Sequence, residues 1–169
     1  MRSLKLALLA TAATAVLSSA AFAADLVVDT PNTPPVVDNS FNWDGAYIGV
    51  LLQGQSAPSA FGLGVDLGVN TLMNNLVLGG ELEFVGSTGG NWDAQATGKI
   101  GGLIADNALL YAYSGIGTRN VTGAYVPLGA GIEFGLTSNL SLKAEGQYNF
   151  DIGGGTNSAA VKVGLNWHF

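Results

Sequence analysis

Cysteine is absent from the 169-residue sequence, and only 11% of its residues are charged. The first absence excludes disulfide bonds, a thiol nucleophile and metal sites built from thiolates. The formal net charge of −6 argues against a protein that binds nucleic-acid phosphates. Apolar residues make up 48% of the chain, which argues against disorder, and the 25 glycines indicate many turns or close backbone contacts.

Long apolar runs are also missing, and the apolar segment near the N-terminus is short. Arg2 and Lys5 precede the segment LALLATAATAVL, and a small-residue A-x-A site ends at Ala23. This pattern predicts a secretory signal peptide over residues 1–23, whereas a membrane-anchoring helix would need a longer run with fewer small residues. Beyond it no run of about 18 apolar residues occurs, so no transmembrane helix is predicted. Residues 24–42 are proline-rich and are predicted to form an extended periplasmic lead-in to a domain over 43–169.

After the lead-in, apolar and polar residues alternate with a period of two, which is typical of strands. Eight segments show this alternation: 43–53, 60–70, 76–85, 93–104, 108–117, 124–135, 140–150 and 161–169. Segment 108–117 is apolar on both faces, so its orientation stays open. Tight turns with Asn and Asp are predicted at 71–75, 105–107 and 137–139, all at the end that carries both termini. An up-and-down meander with an even number of strands requires this arrangement.

The volumes of the two faces decide between a soluble and a membrane barrel. One face carries Leu, Ile, Val, Phe and Tyr, whereas the other is diluted by glycine. The interior of an eight-stranded barrel is only just wide enough for side chains to fill it, and eight rows of bulky residues would not fit there. The bulky face is therefore predicted to lie outside. A soluble barrel or a sandwich would hide that face instead. Because only helices and closed barrels satisfy their backbone hydrogen bonds in lipid, the prediction is an all-β protein, an eight-stranded antiparallel up-and-down transmembrane β-barrel.

The ionisable residues within the strands all share the glycine-rich face. We predict that they form a packed polar network in the barrel interior, with a proton path or a selectivity ring as the alternative. They are Asp66, Glu81, Glu83, Lys99, Glu133, Lys143, Glu145 and Lys162. Aromatic residues near the strand ends are predicted to form interfacial girdles. They are Trp43, Tyr47, Phe61, Phe84, Trp92, Tyr125, Phe134, Phe150, Trp167 and Phe169.

Three stretches carry a resemblance to a known family: WDGAYIGV (43–50), KIGGLIADNALLYAYSGIG (99–117) and LGAGIEFGLTSNLSLKAEGQYNFD (128–151). Together with the terminal aromatic Phe169 they resemble the small outer-membrane β-barrels of Gram-negative bacteria, of the opacity type or the OmpA/OmpX-like porin type that consists of the barrel alone. The chain departs from that pattern at Gln147 and Lys99, where the family often has arginine. The resemblance implies a place in the outer membrane of the cell envelope.

The resemblance also implies partners. Trp167 and Phe169 would belong to the final-strand signal that the barrel-assembly machinery reads, and periplasmic chaperones and outer-membrane lipid would be the other partners. No nucleic acid, cofactor or metal is expected. The predicted function is a non-enzymatic structural or surface role, and a narrow porin-like channel for small solutes is the alternative. An enzyme such as an acyl hydrolase is disfavoured, because the sole histidine, His168, lies at the C-terminus and no G-x-S-x-G motif is present.

Overall fold

The computed structural model describes residues 41–57, 59–120 and 123–169. The predicted signal peptide and nearly all of the predicted lead-in lie outside these residues. Eight strands succeed one another along the chain: β1 (Gly45–Ser56), β2 (Ser59–Met73), β3 (Leu76–Ser87), β4 (Asn91–Ala105), β5 (Ala108–Arg119), β6 (Gly123–Gly135), β7 (Leu140–Asp151) and β8 (Ser158–His168). Each predicted segment corresponds to one of them. No helix among the described residues is long and apolar enough to cross a membrane.

The strands form a closed barrel in sequence order. Every strand pairs antiparallel with the next, and β1 also pairs antiparallel with β8, with Val50 opposite Leu165. Closure leaves no strand edge with free backbone groups, as a barrel in lipid needs. The predicted fold, an eight-stranded antiparallel up-and-down β-barrel, is confirmed.

The two ends of the barrel differ in their connections. At one end Asn74–Asn75, Asp106–Asn107 and Leu136–Asn139 join β2 to β3, β4 to β5 and β6 to β7. Asn74 adopts a positive φ of 57°, which asparagine tolerates in turns. Both the start of β1 and the end of β8 lie at this end, which we name the turn end, and the opposite end is the loop end. Several strands run further than predicted, so the connections at the loop end are shorter than the sequence indicated.

Side chains on the outer face are apolar and exposed. Examples are Val50, Leu63, Ile100 and Leu128. Successive residues along a strand alternate between this outer face and the interior. The orientation of β5, which the sequence left open, is settled by the same alternation. Leu109, Tyr111 and Tyr113 are buried in the interior, and Leu110 faces outward.

Three aromatic residues do not belong to the predicted girdles. Trp43, Tyr47 and Tyr125 are buried inside the barrel, each at most 3% exposed. The girdle prediction was wrong for them because it used only their distance from the strand ends. Tyr47 lies between the outward residues Ala46 and Ile48, so strand alternation itself turns it inward.

Inward tyrosines explain several of the inward glycines. Tyr47 lies opposite Gly68 on β2, and Tyr113 lies opposite Gly129 on β6. A Cβ on either glycine would collide with the tyrosine ring. The glycines therefore make room for the rings to lie flat against the barrel wall, which fills the narrow interior without widening it.

Candidate functional site: the filled barrel interior

All eight ionisable residues that the sequence assigned to the interior lie there. None of them is more than 7% exposed, and they come from six of the eight strands. Strand alternation turns them inward, and the antiparallel register brings residues distant in sequence to the same height. Burying this many charges is favourable only where each one finds a partner or a hydrogen bond.

Lys143 is the centre of the network in the half of the barrel next to the turn end. Its Nζ lies 2.9 Å from Asp66 Oδ2, 3.1 Å from Glu81 Oε2 and 4.0 Å from Glu145 Oε1. The Tyr47 hydroxyl donates to Glu81 Oε2 at 2.6 Å and accepts from Lys99 Nζ at 2.9 Å. One ammonium group is thus shared among three carboxylates, which come from β2, from β3 and from its own strand, β7.

Lys162, which lies opposite Glu145 on β7, forms a second centre near the middle of the interior. Its Nζ donates to Glu83 Oε1 and Oε2 at 2.6 and 2.9 Å and to Gln147 Oε1 at 2.8 Å. Gln147, where arginine is common in the resembled family, therefore takes part as an acceptor. This contact could not be predicted from the sequence. Gln147 and Lys162 are not opposite each other in the register of β7 and β8, and they meet only because both side chains are long.

Tyrosines complete the network and were not predicted as part of it. The Tyr111 hydroxyl donates to Glu145 Oε1 at 2.7 Å, and the Tyr113 hydroxyl lies 3.3 Å from Glu145 Oε2 and 3.0 Å from Gln147 Oε1. A phenol donates one hydrogen, so Tyr113 serves one of its two acceptors at a time. The signal in the sequence was their spacing: Tyr111 and Tyr113 are two residues apart and share one face of β5.

At the turn end the Glu133 carboxylate contacts three polar side chains. Its Oε1 accepts from Ser141 Oγ and from Asn166 Nδ2 at 3.0 Å, and it lies 3.3 Å from His168 Nε2. The same His168 nitrogen is 3.1 Å from Ser141 Oγ. Serine, histidine and glutamate therefore meet here, a cluster that no motif in the sequence indicates.

Two aromatic side chains cover this cluster from the turn end. Phe41 and Trp43 are buried with Val77, Leu109 and the tyrosines of β5. The Phe41 ring meets the His168 imidazole edge to face at a centroid distance of 4.7 Å, and Trp43 Nε1 donates to the carbonyl of Asp106. We name Phe41 and Trp43 the aromatic plug. The prediction placed Phe41 in an extended lead-in, but its side chain packs into the barrel mouth.

The loop end of the interior holds amides and one ion pair. Arg119 Nε donates to Asp93 Oδ1 at 2.8 Å, and Gln95 exchanges hydrogen bonds with Gln147 at 3.2–3.3 Å. Asn149 donates to Ser158 at 3.2 Å. The polar chain thus runs through the interior from one end to the other, with charges concentrated toward the middle and the turn end.

The arrangement limits the chemistry that the interior can perform. The charged side chains bind one another, and each of them is nearly or fully enclosed. Among the described residues no three His, Asp or Glu side chains are grouped so that they could hold a metal ion. The interior is therefore packed with charged side chains that bind one another between the strands.

A closed eight-stranded barrel with an apolar outer face and a polar, filled interior defines an outer-membrane β-barrel protein. The sequence is 26% identical to the 31 kDa outer-membrane immunogenic protein of Brucella melitensis, over 92% of this chain and 96% of that protein. No family model matches the sequence. The predicted resemblance to small Gram-negative outer-membrane β-barrels is confirmed by this relative together with the fold, and both support a location in the outer membrane.

Solved structures show the same fold. A de novo designed transmembrane β-barrel superposes with a TM-score of 0.61 at 12% identity, over 77% of this chain and 99% of that one. The N-terminal β-barrel domain of OprF from Pseudomonas aeruginosa gives 0.55 at 17% identity, over 73% and 98%. The outer-membrane enzyme PagL gives 0.52 at 12% identity, over 73% and 99%. A designed barrel, a natural barrel domain and an enzyme share this architecture, so the fold by itself does not decide the function.

Proposed function

We propose that this protein is a non-enzymatic barrel of the outer membrane with a structural or surface role in the cell envelope. The observation that carries the proposal is the filled interior. Lys143 is shared among Asp66, Glu81 and Glu145, Lys162 is held by Glu83, and the aromatic plug closes the turn end. Such side chains bind the strands to one another and leave the outer wall and the loops as the surfaces that meet other molecules.

The cluster of Ser141, His168 and Glu133 supports the non-enzymatic proposal when its geometry is considered. In a serine hydrolase the histidine uses one ring nitrogen for the serine and the other for the acid. Here Nε2 faces both Ser141 and Glu133, and Nδ1 has no hydrogen-bond partner among the described residues. Ser141 donates its hydrogen to Glu133, and the whole cluster is at most 2% exposed beneath the plug. The cluster therefore has the contacts of a structural hydrogen-bond network.

Conductance across a planar lipid bilayer tests the proposal against the channel alternative. We expect the refolded protein to insert without steady single-channel openings, because ion pairs lie at the loop end, in the middle and in the turn half of the interior, and aromatic rings cover the turn end. A porin inserted under the same conditions is the positive control. Steady openings that persist in repeated insertions would contradict the structural proposal and favour a narrow channel for small solutes.

We also propose that the protein reaches the outer membrane through a cleavable signal peptide and the barrel-assembly machinery, with periplasmic chaperones on the way. Phe169 is exposed at the end of β8, and its backbone nitrogen donates to the carbonyl of Ala46 at 3.0 Å. Its ring packs little against the barrel, so its role as an assembly signal, together with Trp167, is separable from folding.

Deletion of Phe169 is expected to lower the amount of folded barrel in the outer membrane while export and signal-peptide cleavage continue. The control is Phe61→Ala, which removes an equally exposed aromatic ring from the outer wall far from the C-terminus. Immunoblots of membrane fractions, with and without heating in detergent, measure the folded and unfolded forms. Equal folded amounts in the deletion variant and in the control would contradict the assembly-signal proposal.

A further inference from the structure

The pairing of β5 with β6 is interrupted within the barrel wall. Register pairs run along the two strands as far as Ser114–Leu128 and resume at Gly117–Tyr125. Among the described residues, each of the other seven pairings of neighbouring strands is continuous, apart from one bulge beside a turn. We name the interrupted segment the seam, and it consists of Gly115, Ile116, Val126 and Pro127.

Pro127 causes this interruption. Proline has no backbone N–H, so in the middle of a sheet it removes one hydrogen bond of the ladder. The Pro127 carbonyl faces β5, because it accepts a hydrogen bond from Ser114 Oγ at 2.8 Å. In an antiparallel strand the N–H and the C=O of one residue point to the same neighbouring strand. The donor that is missing is therefore the one for the carbonyl of Gly115, which stands opposite Pro127 in the register of the flanking pairs.

The surroundings of the seam make this loss costly for the contact between β5 and β6. On its outer side Ile116 and Leu128 are exposed on the apolar face, where lipid offers a backbone carbonyl no hydrogen bond. On the β4 side a Cβ at Gly115 would collide with the backbone of Ala96 and Thr97, so β5 lies tightly against β4. The weak side of β5 at this point is therefore the side that faces β6.

The inner side of the seam is covered by one ring. Gly115 and Gly117 have no side chains, and the ring of Tyr125 lies so close over Gly117 that a Cβ there would collide with it. The Tyr125 hydroxyl has a single long hydrogen bond, 3.4 Å, to Gln95 Oε1, and the Arg119 guanidinium lies 5.4 Å from the ring centroid. The inner cover of the seam is thus a ring that weak contacts hold in place.

We propose that β5 and β6 separate locally at the seam, which opens the wall sideways between the lipid and the half of the interior next to the loop end. Three features meet at this one place: a lost backbone hydrogen bond, a serine hydroxyl bonded to the proline carbonyl, and the weakly held ring of Tyr125. Such an opening exposes Gln95, beneath the ring, to molecules that arrive from the side of the barrel, independently of any passage along its axis.

Amide hydrogen exchange measures this opening, residue by residue, by NMR of the folded barrel in lipid nanodiscs. The pair Gly117–Tyr125 borders the seam, and Tyr111–Gly131 is the internal reference, because it also joins one glycine and one tyrosine of the same two strands. We expect the amides of Gly117 and Tyr125 to exchange at least about tenfold faster than those of Tyr111 and Gly131, since local opening exposes only the amides beside it.

Two variants act on the seam in opposite directions. Pro127→Ala supplies the missing N–H without adding bulk and should slow exchange at Gly117 and Tyr125 by about two- to tenfold, the effect of one hydrogen bond. Ser114→Ala removes the hydroxyl that bonds the Pro127 carbonyl and should accelerate exchange by a similar factor. Gly146→Ala is the control and should leave the rates unchanged, because a Cβ there meets nothing within 4 Å. If Pro127→Ala does not fold, Ser114→Ala still tests the seam.

Two results would overturn the proposal. Equal exchange rates at the Gly117–Tyr125 and Tyr111–Gly131 pairs in the wild type would mean that the seam stays closed. Faster exchange at Gly117 and Tyr125 that neither Pro127→Ala nor Ser114→Ala changes would assign the exchange to fraying from the loop end.

Discussion

The two halves of the barrel interior fill the same narrow space in different ways. Toward the turn end the described interior side chains are mostly charged or aromatic and are buried, with Lys143 at 0% side-chain exposure. Toward the loop end they are mostly amides, and the one ion pair described there retains 16% exposure at Arg119. The turn half therefore contains the interactions that solvent cannot replace, whereas water can take over part of the loop half when a contact is lost.

This difference results from how the chain closes. At the turn end three tight turns, the start of β1 and the end of β8 meet, and Phe41 and Trp43 fold back over the mouth. At the loop end the longest described connection, Ile152–Asn157, is exposed along its whole length. Charges buried beneath a closed mouth depend on their partners, so stability is expected to be concentrated in the turn half.

Replacing one cation in each half by methionine tests this comparison with the largest expected effect. Lys143→Met leaves Asp66 and Glu81 without their ammonium partner in an enclosed site and should cost about 3–5 kcal/mol of unfolding free energy. Arg119→Met leaves Asp93, which is 6% exposed, without its partner next to the loop-end mouth, and the smaller cost expected there is about 1–3 kcal/mol. Urea unfolding in lipid vesicles, followed by tryptophan fluorescence, measures both. Similar losses in the two variants would remove the distinction between the halves.

Alternation and glycine content were enough to predict the wall of the barrel. The number of strands, their antiparallel order and the outward direction of residues such as Leu63 and Leu128 follow from a period of two and from the small volume of the interior. The inward positions of Asp66 and Lys143 follow from the same parity. These are properties of each strand by itself, and a sequence records them directly.

The partners inside the barrel could not be predicted, because they depend on the register around the closed wall. Lys143 and Glu81 are 62 residues apart and meet only once β3 and β7 face each other across the interior. The aromatic plug was missed for another reason. Phe41 precedes the alternating segments, so no periodicity marks it, and only the collision that a Cβ at Gly135 would make with its ring shows that a space is kept for it.

Removing the aromatic plug tests whether it closes the turn end. In the double variant Phe41→Ala/Trp43→Ala, we expect diethyl pyrocarbonate to label His168 at least about tenfold faster than in the wild type, since local access to a buried group gains a factor of ten for each ~1.4 kcal/mol of lost protection. His168 is the sole histidine of the chain, so the labelled site is unambiguous. Mass spectrometry of the folded, heat-sensitive form gives the rate.

The control for the plug is Phe61→Ala/Phe84→Ala, which removes two aromatic rings from the outer wall. It should leave the labelling rate of His168 unchanged, because these rings face away from the interior. Slow labelling in both variants would show that the side chains around Glu133 protect the imidazole without the plug, and the turn end would then owe its closure to polar packing alone.

The smallest of the expected effects comes from the tyrosine rings that lie over glycines. Gly68→Ala forces a methyl group against Tyr47, whose hydroxyl is held by Glu81 at 2.6 Å and by Lys99 at 2.9 Å, and should cost about 1–3 kcal/mol. Gly117→Ala makes the same collision with Tyr125 in the loop half, where the hydroxyl has one weak bond of 3.4 Å to Gln95. Because its hydroxyl is held by this one weak bond, that ring can shift more easily, and the cost should fall below about 1 kcal/mol. Urea unfolding of both variants beside Gly146→Ala, where a Cβ meets nothing within 4 Å, measures the difference. An equal cost at Gly68 and Gly117 would mean that the two halves hold their rings with the same rigidity.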